Sequence, residues 1–430
     1  MAENSNSKSL NRLFNKVGIL IVDNSVTLLF IVISGIGIVF AAQPANYILG
    51  EVTARLFRNL ILILSLIVPV WSGMGLNFSI VLGAIAAQAG LLFAINFSIE
   101  GILGIVVALL VSIPLAVGLG ILTGRLFNKT KGQEMITGMI LGFFAKGVYE
   151  LFFMYICGPV IPIKNEAIML PNGIGINGII TLDSTLNGVI DKLWKVSLDK
   201  IIMLFLITYI IVLIFKIGIR LKKKTKITFK DYIQLFITLI ITVCYIIAVS
   251  YWDVFHSMLV FTKIPILTVI IILLVCLFIV FLSKTKLGND IMIVGQSIPI
   301  ARTAGLNVER TRIIAVVIST VIAALGQIIY LQNIGTFSTY SAHEQVATFS
   351  IAALLVGGAS IEKANIGHAV LGGLLFHVMF IVAPIAGKNI FGDAQIGEYF
   401  RVFSSYAVIA VALALYSWKM GIMKKTKSKN

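Results

Sequence analysis

Long apolar stretches alternate with short polar ones along almost the whole chain. Stretches of about twenty apolar residues have the length that an α-helix needs to cross a bilayer. They lie at 24–42, 56–72, 74–95, 101–123, 135–157, 199–219, 232–252, 265–283, 312–331, 346–361, 367–386 and 402–419. The pattern predicts an all-α polytopic membrane protein with about ten to twelve transmembrane helices. Almost no loop follows Trp71, and 346–361 is short and Gly-rich, so we expect broken or re-entrant helices there.

Composition supports the same class of protein. Hydrophobic residues make up 59% of the 430 residues and charged residues only 12%. A soluble protein with this pattern would need nearly a dozen completely buried helices, and so few polar residues cannot cover them. The first apolar run is too long for the core of a cleaved signal peptide, so we expect it to remain as a signal anchor.

The basic residues are distributed unevenly between the two sides of the predicted membrane. If the N-terminus is cytoplasmic, 24 of the 34 lysines and arginines fall on cytoplasmic segments, as the positive-inside rule requires. This predicts a cytoplasmic tail at 1–22, a membrane domain at 23–420 and a basic cytoplasmic tail at 421–430. The same bias, next to anionic lipid, accounts for the net charge of +16, which therefore does not indicate a nucleic-acid partner.

The segment 284–312 is basic, polar and enclosed between two apolar helices. It contains an amphipathic stretch from Ile291 to Thr303, followed by Gly305 in the position that ends many helices. A simple connection would need far fewer residues. The segment is therefore predicted to be a cytoplasmic docking surface, although an ordinary positive-inside loop is an equally good interpretation of these residues alone.

Several kinds of chemistry lack their sequence signatures. Cys157, Cys244 and Cys276 form no CxxC pair and are predicted to be small buried packing residues. The four histidines form no metal-binding pattern, and there is no phosphate-binding GxxxxGK[ST] motif. The chain is therefore predicted to bind no metal and no cofactor directly and to be no enzyme. Energy for any pumping would come from a partner or from an ion gradient.

Four segments carry a family resemblance: GMGLNFSIVLGAIAAQAG at 73–90, KTKLGNDIMIVGQSIPIARTAGLNVERTR at 284–312, GQIIYLQNIGTFSTYSAHEQ at 326–345 and AALLVGGASIEKANIGHAVLGGLLFHVMF at 352–380. With them the chain resembles, from about residue 50 to 418, the permease subunits of ATP-binding-cassette (ABC) importers, in the branch that includes ribose, galactose, nucleoside and branched-chain amino acid permeases. The resemblance implies a multi-pass protein of the bacterial cytoplasmic (inner) membrane that translocates a small hydrophilic solute, a sugar or nucleoside, by alternating access. It also implies three protein partners: an ABC ATPase subunit that hydrolyses the ATP, a second permease subunit and an extracytoplasmic solute-binding protein.

The loop of this chain between Gly295 and Gly305 is similar to the cytoplasmic coupling helix of that family, which rests on the ATPase. The resemblance assigns ATPase coupling to Gly295, Ile298, Ile300, Ala301, Arg302, Gly305, Leu306 and Arg310. Ile298, Ile300 and Leu306 would supply apolar contacts, and Arg302, Arg310 and Arg312 polar ones. Anchoring in lipid headgroups is an equally good interpretation of the arginines.

The chain departs from the family pattern at 199–252, where two apolar helices stand in place of one. We interpret them as a peripheral insertion that preserves the orientation of everything downstream. The outside segment 158–198 is predicted to contact the solute-binding protein, with a solvated spacer as the alternative.

Polar residues within apolar helices mark a candidate solute pathway. Lys146 and Glu150 lie four residues apart on one helix face and can form an ion pair; each charge alone would be costly in the membrane. The same pathway is predicted to include Asn77, Phe78, Gln88, Gln327, Tyr330, Gln332, Asn333, His343 and Glu344, with Phe78 and Tyr330 stacking on a sugar or base ring. A purely structural ion pair remains an alternative for Lys146 and Glu150.

A gradient-driven secondary transporter with twelve helices is the competing hypothesis. Carriers of the major facilitator type place a basic loop between helices two and three, and this chain has essentially no loop at that point.

Overall fold

The computed structural model describes residues 25–163, 165, 168–171, 173–182, 186–222 and 229–427. The tail predicted at 1–22 therefore lies outside the described residues, as do 223–228 of the basic loop between the two inserted helices. The described residues form seventeen α-helices, one π-helical turn and four short strands.

The helices follow in order: α1 Ser25–Ala41, α2 Ala45–Leu64, α3 Ile67–Trp71, α4 Ile80–Asn96, α5 Gly101–Lys129, α6 Glu134–Leu151 with the π-helical turn Phe152–Ile156, α7 Val189–Leu193, α8 Leu198–Lys222, α9 Phe229–Tyr251, α10 Asp253–Phe261, α11 Ile266–Lys284, α12 Lys286–Gln296, α13 Ile298–Thr303, α14 Val308–Ile334, α15 Val346–Val356, α16 Ile366–Phe391 and α17 Ala394–Lys427. The strands are β1 Ile179–Thr181, β2 Lys195–Ser197, β3 Lys263–Pro265 and β4 Thr336–Ser338.

The helices confirm the all-α polytopic fold. Within the described residues, seven helical segments are long and apolar enough to cross a membrane, or eight if a pair bent by 98° counts as one span. Three shorter apolar helices, Val26–Ala41, Ile80–Asn96 and Val346–Val356, accompany them. Two of the three are the helices next to Trp71 and at 346–361, where the sequence predicts broken or re-entrant segments.

The second apolar segment begins eleven residues earlier than predicted, at Ala45. Arg55 and Arg58 therefore both lie within α2, where Arg55 pairs with Glu51 at 3.5 Å. The helix is interrupted after Leu64 because Pro69 has no N–H to donate to the carbonyl of Ser65, and its ring crowds that carbonyl. The short α3 continues to Trp71.

The core consists of α4, α5 and α14 packed against one another, with α2, α15 and α16 beside them. Small residues allow the close approach of these helices, as is usual inside membranes. A Cβ on Gly83 of α4 would lie 2.4 Å from the carbonyl oxygen of Thr320 in α14. A Cβ on Gly357 after α15 would lie only 1.9 Å from the carbonyl oxygen of His368 in α16.

The described residues of segment 158–198, which is predicted to lie outside, are fastened to the core. Strand β1 pairs antiparallel with β4, which directly follows α14. Leu182 and Leu186 are completely buried in the core, and the Tyr340 hydroxyl donates a hydrogen bond to the carbonyl of Ile176 at 2.8 Å. A fully solvated spacer is therefore the wrong interpretation of this segment, because several of its apolar side chains are buried in the core.

The inserted helices α8 and α9 pack on each other and on α10, and α10 packs against α2. Large side chains of α8 and α9 such as Phe205, Phe215 and Phe236 are exposed. This arrangement agrees with a peripheral insertion. Cys244 lies on the exposed side of α9, so its prediction as a buried packing residue is wrong, whereas Cys157 is buried and Cys276 half-buried.

The first seven residues of the predicted tail at 421–430 continue the preceding helix and form no separate segment. Helix α17 runs without interruption from Ala394 to Lys427, because Ala, Leu, Met and Lys in its second half all favour helix. The last three residues lie outside the described part.

Candidate functional site

The predicted amphipathic stretch from Ile291 to Thr303 is two helices rather than one. Helix α12 ends at Gln296, and the extended backbone of Ser297 (φ −161°, ψ 110°) separates it from α13. The Ser297 hydroxyl caps α13 by accepting a hydrogen bond from the Ile300 N–H at 3.4 Å. Pro299 suits the first turn of a helix, where an N–H would have no partner. These two residues explain the break.

Gly305 ends α13 as predicted. It has a left-handed φ of +77°, and the N–H groups of Gly305 and Leu306 donate to the carbonyls of Arg302 and Ala301, both at 3.0 Å. This is the Schellman arrangement, which favours glycine because a Cβ strains the left-handed conformation. Asn307 then caps α14 by accepting from the Arg310 N–H at 3.0 Å. The lever α12–α13, residues Lys286–Thr303, is thus joined to α14 by a well-defined turn.

One side of α13 packs inward and the other is exposed. Ala301 is completely buried with Val294 and Val308, and Ile298 and Leu306 pack against this cluster. Ile300 is 64% exposed, and Arg302 is exposed beside it. Of the three residues predicted to offer apolar contacts, only Ile300 presents its side chain outward. Arg310 and Gly305 are also exposed.

Arg312 lies elsewhere than predicted. Its side chain is 2% exposed and forms an ion pair with Glu134, the first residue of α6. The prediction that Arg312 offers a polar contact at the surface is therefore wrong. A buried arginine requires a carboxylate partner, and nothing in the sequence pattern indicates that Glu134, 178 positions away, supplies it.

Gly295 holds the lever against the break between α3 and α4. A Cβ on Gly295 would lie 2.0 Å from the carbonyl oxygen of Trp71 and 2.8 Å from the nitrogen of Gly73. Two residues on, a Cβ on Gly75 would lie 3.2 Å from the sulfur of Met135 in α6. The lever, the break and the start of α6 are therefore in direct contact.

A cavity of about 630 Å³ opens on the side of the bundle that α6 and α17 form. We call it the lateral cavity. Its lining includes Phe78, Met135, Lys146, His343, Glu344 and Tyr406. Four of the predicted pathway residues, Phe78, Lys146, His343 and Glu344, thus come together from parts of the chain that are far apart in sequence. This volume is typical of a small-molecule site.

The charged groups of the lateral cavity form a three-residue network. Lys146 Nζ lies 3.6 Å from a carboxylate oxygen of Glu150 and makes a closer ion pair with Glu344. The Lys146 side chain is 34% exposed and that of Glu344 is 38% exposed. The predicted Lys146–Glu150 pair is present, and Glu344 is a third member that the spacing alone could not reveal. Exposure of this size leaves the charges able to meet a solute.

His343 separates the lateral cavity from a buried polar group of residues. Its Nδ1 lies 2.9 Å from the side-chain oxygen of Gln88, and its ring contacts Tyr149 edge-on with centroids 5.1 Å apart. The amide nitrogen of Gln327 donates to the carbonyl of Ala342 at 3.1 Å. Gln88 and Gln327 are completely buried, so they position the His343 segment and do not line the cavity.

The other predicted pathway residues are not at the lateral cavity. Asn77 is buried and donates to the hydroxyl of Ser319 at 3.3 Å, which ties the break to α14. Gln332 and Asn333 both donate to a carboxylate oxygen of Asp191, and Thr268 donates to the other oxygen. Tyr330 lines a separate, smaller cavity.

Asp191 is the residue that sequence analysis missed. It is 3% exposed and lies on the short helix α7 in the outside segment. Its three donors come from α11 and α14, so it fastens that segment to two membrane helices. An acidic residue beside Lys192 in a polar segment resembles a solvated surface charge, which is why its role is visible only in the fold.

No group of three or more His, Cys, Asp or Glu side chains suited to a metal ion occurs among the described residues.

Comparison with known proteins gives a family match over most of the chain. The family described as "Branched-chain amino acid transport system / permease component" matches residues 48–413. The match covers α4, the lever and the lateral cavity. It agrees with the resemblance carried by the four segments and counts against a gradient-driven secondary transporter.

Individual relatives align over shorter stretches. The probable ABC transporter permease protein YphD of Escherichia coli is 29% identical over 153 residues, 36% of this chain and 44% of the relative. The nucleoside ABC transporter permease protein NupC of Lactococcus lactis is 31% identical over 159 residues, which are 37% of this chain and 47% of the relative. The fructose import permease protein FrcC of Rhizobium meliloti is 29% identical over 150 residues, 35% and 40%. The chain thus matches less than half the length of these curated relatives. No solved structure matches it.

Proposed function

The chain belongs to the family of permease components of branched-chain amino acid transport systems, and on that premise we propose that it is the transmembrane permease subunit of an ATP-driven importer. Its solute is small and hydrophilic, a sugar or a nucleoside, because relatives named for nucleosides, fructose and xylose are similar to it. The protein lies in a bacterial inner membrane with both termini in the cytoplasm. It performs no chemistry and binds no cofactor itself; a separate subunit hydrolyses ATP.

The structure of the lever is the argument for an ATPase partner. Helix α13 is capped at both ends and held by a buried apolar cluster, so it can transmit force as a rigid body. Its exposed side presents Ile300 and Arg302, an apolar and a cationic group suited to a groove on a partner. Force applied there reaches Gly73 and Gly75 through backbone contact and, from them, α6 and the lateral cavity.

The residues at the lateral cavity are the argument for a second permease subunit. Lys146, Glu150 and Glu344 would be costly to expose to lipid, because charges within the bilayer require water or partners. The face of α6 around them also exposes Ile140, Phe143 and other large apolar side chains. A second permease subunit on this face would cover the apolar residues. The lateral cavities of the two subunits would then enclose a shared, water-filled path.

The packing of segment 158–198 is the argument for a docking surface for the solute-binding protein. Strand pairing to β4 and the Asp191 contacts fix its backbone, and Trp194 and Ile179 remain exposed on it. A rigid surface with exposed apolar groups is what docking of a receptor needs.

The contact between the lever and the ATPase carries this proposal and can be tested by placing negative charge on the exposed side of α13. The variants Ile300→Glu and Arg302→Glu are each co-expressed with the ATPase of the same transport system. We expect the ATPase to be lost from the purified complex and solute uptake into proteoliposomes to fall, while the chain still inserts. Lys388→Glu is the matched control, because Lys388 is exposed on the predicted outer side. Stoichiometric ATPase and full uptake in both lever variants would contradict the proposal.

A further inference from the structure

A second cavity lies inside this subunit, and residues of the Ser341–Gln345 segment line both this cavity and the lateral cavity. We call it the inner pocket. Its volume is about 170 Å³, and helices α2, α14, α15 and α16 surround it. Its polar lining consists of Asn59, Tyr330, Ser341, Gln345, Ser350 and His377. Ser341 and Gln345 are exposed at its mouth, whereas Ser350 and His377 are buried at its inner end.

His377 is the feature that requires an explanation. Its side chain is 6% exposed, and neither ring nitrogen has a hydrogen-bond partner among the described residues. An imidazole carries a donor or an acceptor on each nitrogen. Leaving both unpaired inside a protein is unfavourable, and such groups indicate a missing partner. Because His377 lines the inner pocket, that partner is something that enters the pocket.

The remaining lining indicates the chemistry of the occupant. None of the residues that line the pocket carries a full charge, so the site suits an uncharged molecule. Leu62, Ile63 and Phe349 supply apolar walls, and amide, hydroxyl and imidazole groups supply directed hydrogen bonds. A few polar groups set in a mostly apolar cavity are typical of a ligand site. The ring of Tyr330 is fixed from outside the pocket by the guanidinium of Arg58, 5.9 Å from its centroid.

The size limits the occupant to one ring. An engineered protein cavity of about 150 Å³ holds a single benzene molecule, and the inner pocket is only slightly larger. We propose that the inner pocket binds one uncharged six-membered ring with several hydrogen-bonding groups, either a pyrimidine base or a single pyranose. A whole nucleoside would not fit. The site lies within one subunit and is distinct from the lateral cavity, so it does not depend on the proposed transport path.

Occupancy of the pocket has a consequence for its neighbour. Gln345 lines both cavities, and Glu344 and His343 of the same segment line the lateral cavity. A ring held between His377 and Gln345 would fix the segment that carries Glu344. A ring bound in the inner pocket would therefore adjust the ion pair of Lys146 without touching a solute in the lateral cavity.

The experiment measures equilibrium binding of radiolabelled uracil and, separately, D-xylose to the full chain in nanodiscs. We expect saturable binding of one probe at one molecule per chain, and the probe that binds decides between base and sugar. His377→Phe, which removes both ring nitrogens, should weaken binding at least about tenfold. Ser350→Leu, which fills the pocket and keeps His377, should do the same. Lys131→Met, at an exposed position that lines neither cavity, is the control and should leave the affinity unchanged.

Two results would overturn the inference. Absence of saturable binding of both probes would mean that the pocket holds only water. Binding that survives both pocket variants but is lost in Lys146→Met would place the probe in the lateral cavity. If one pocket variant fails to insert, the other still decides. Because this assay needs neither ATPase nor uptake, its failure is distinguishable from failure of the proposed transport function.

Discussion

Gly73 and Gly295 touch through their backbones: a Cβ on Gly73 would lie 2.8 Å from the Cα of Gly295. The sequence predicts a broken helix after Trp71 and places Gly295 in the coupling region, without linking the two. The indole of Trp71 adds a hydrogen bond to the carbonyl of Ala364 at 2.9 Å. The lever is thus packed against the place where the α3–α4 chain is interrupted, with no side chain between them.

The first prediction concerns this contact. Gly295→Ala should lower the free energy of unfolding by about 1–3 kcal/mol, as overpacking does, because the atoms in the way are backbone atoms of Trp71 and Gly73. Thermal unfolding of the purified protein measures the change. Gly118→Ala is the control, since a Cβ on Gly118 meets nothing within 4 Å. Equal unfolding temperatures for the two variants would show that the close approach is absent.

The second prediction concerns the buried ion pair of Arg312 and Glu134. Arg312→Gln should destabilise the protein by about 3–5 kcal/mol, because it leaves the carboxylate of Glu134 without its cation. Thermal unfolding again provides the measurement. Arg310→Gln, an exposed position two residues away, should change stability by no more than about 0.5 kcal/mol. A result in which Arg310→Gln is the more damaging variant would contradict the assignment of Arg312 to the interior.

The third prediction concerns the lateral cavity. Lys146→Met and Glu344→Gln should each reduce solute uptake by about tenfold or more, which corresponds to about 1.4 kcal/mol. Stability should change by at most about 1 kcal/mol, because the pair is partly exposed and screened. Uptake into proteoliposomes and thermal unfolding are measured on the same preparations. Lys131→Met, which removes an exposed partner of Glu309, is the control. Loss of stability with unchanged uptake would indicate a structural ion pair.

The fourth prediction concerns Asp191. Asp191→Ala removes the acceptor of hydrogen bonds from Thr268, Gln332 and Asn333. Each unpaired buried donor costs about 1–3 kcal/mol, so the unfolding temperature should fall markedly. Asp253→Ala, at an exposed helix start, should cost no more than about 1 kcal/mol. If Asn333→Ala changed solute preference and left stability unaltered, the structural role of this group would be wrong.

The sequence predicts the helices well because bilayer-length apolar runs leave little choice of structure. It also predicts Gly305 correctly, since a helix end followed by a polar turn favours glycine at that position. It fails where position depends on partners far away in the chain. Arg312 and Arg310 look alike in the sequence, and only the approach of Glu134 makes one buried and the other exposed.

The same limit applies to the candidate pathway. Lys146 and Glu150 are predictable because both lie on one helix face, four residues apart. Glu344 joins them only after the two halves of the chain pack together. Amides inside apolar helices are ambiguous, because a buried amide must find a hydrogen bond whether or not a solute passes. Gln332 and Asn333 find theirs on Asp191, which no periodicity marks.

Helix α14 begins beside the lever at the Asn307 cap and ends at Gly335, where β4 carries the chain into pairing with the outside segment. With a rise of about 1.5 Å per residue, its length is about 40 Å, the thickness of a whole membrane. One unbroken helix therefore connects the surface that we propose for a solute-binding protein with the surface that we propose for an ATPase. On that proposal, docking of a loaded solute-binding protein would reach the opposite side of the membrane as a tilt of this helix, without a chain of side-chain contacts in between.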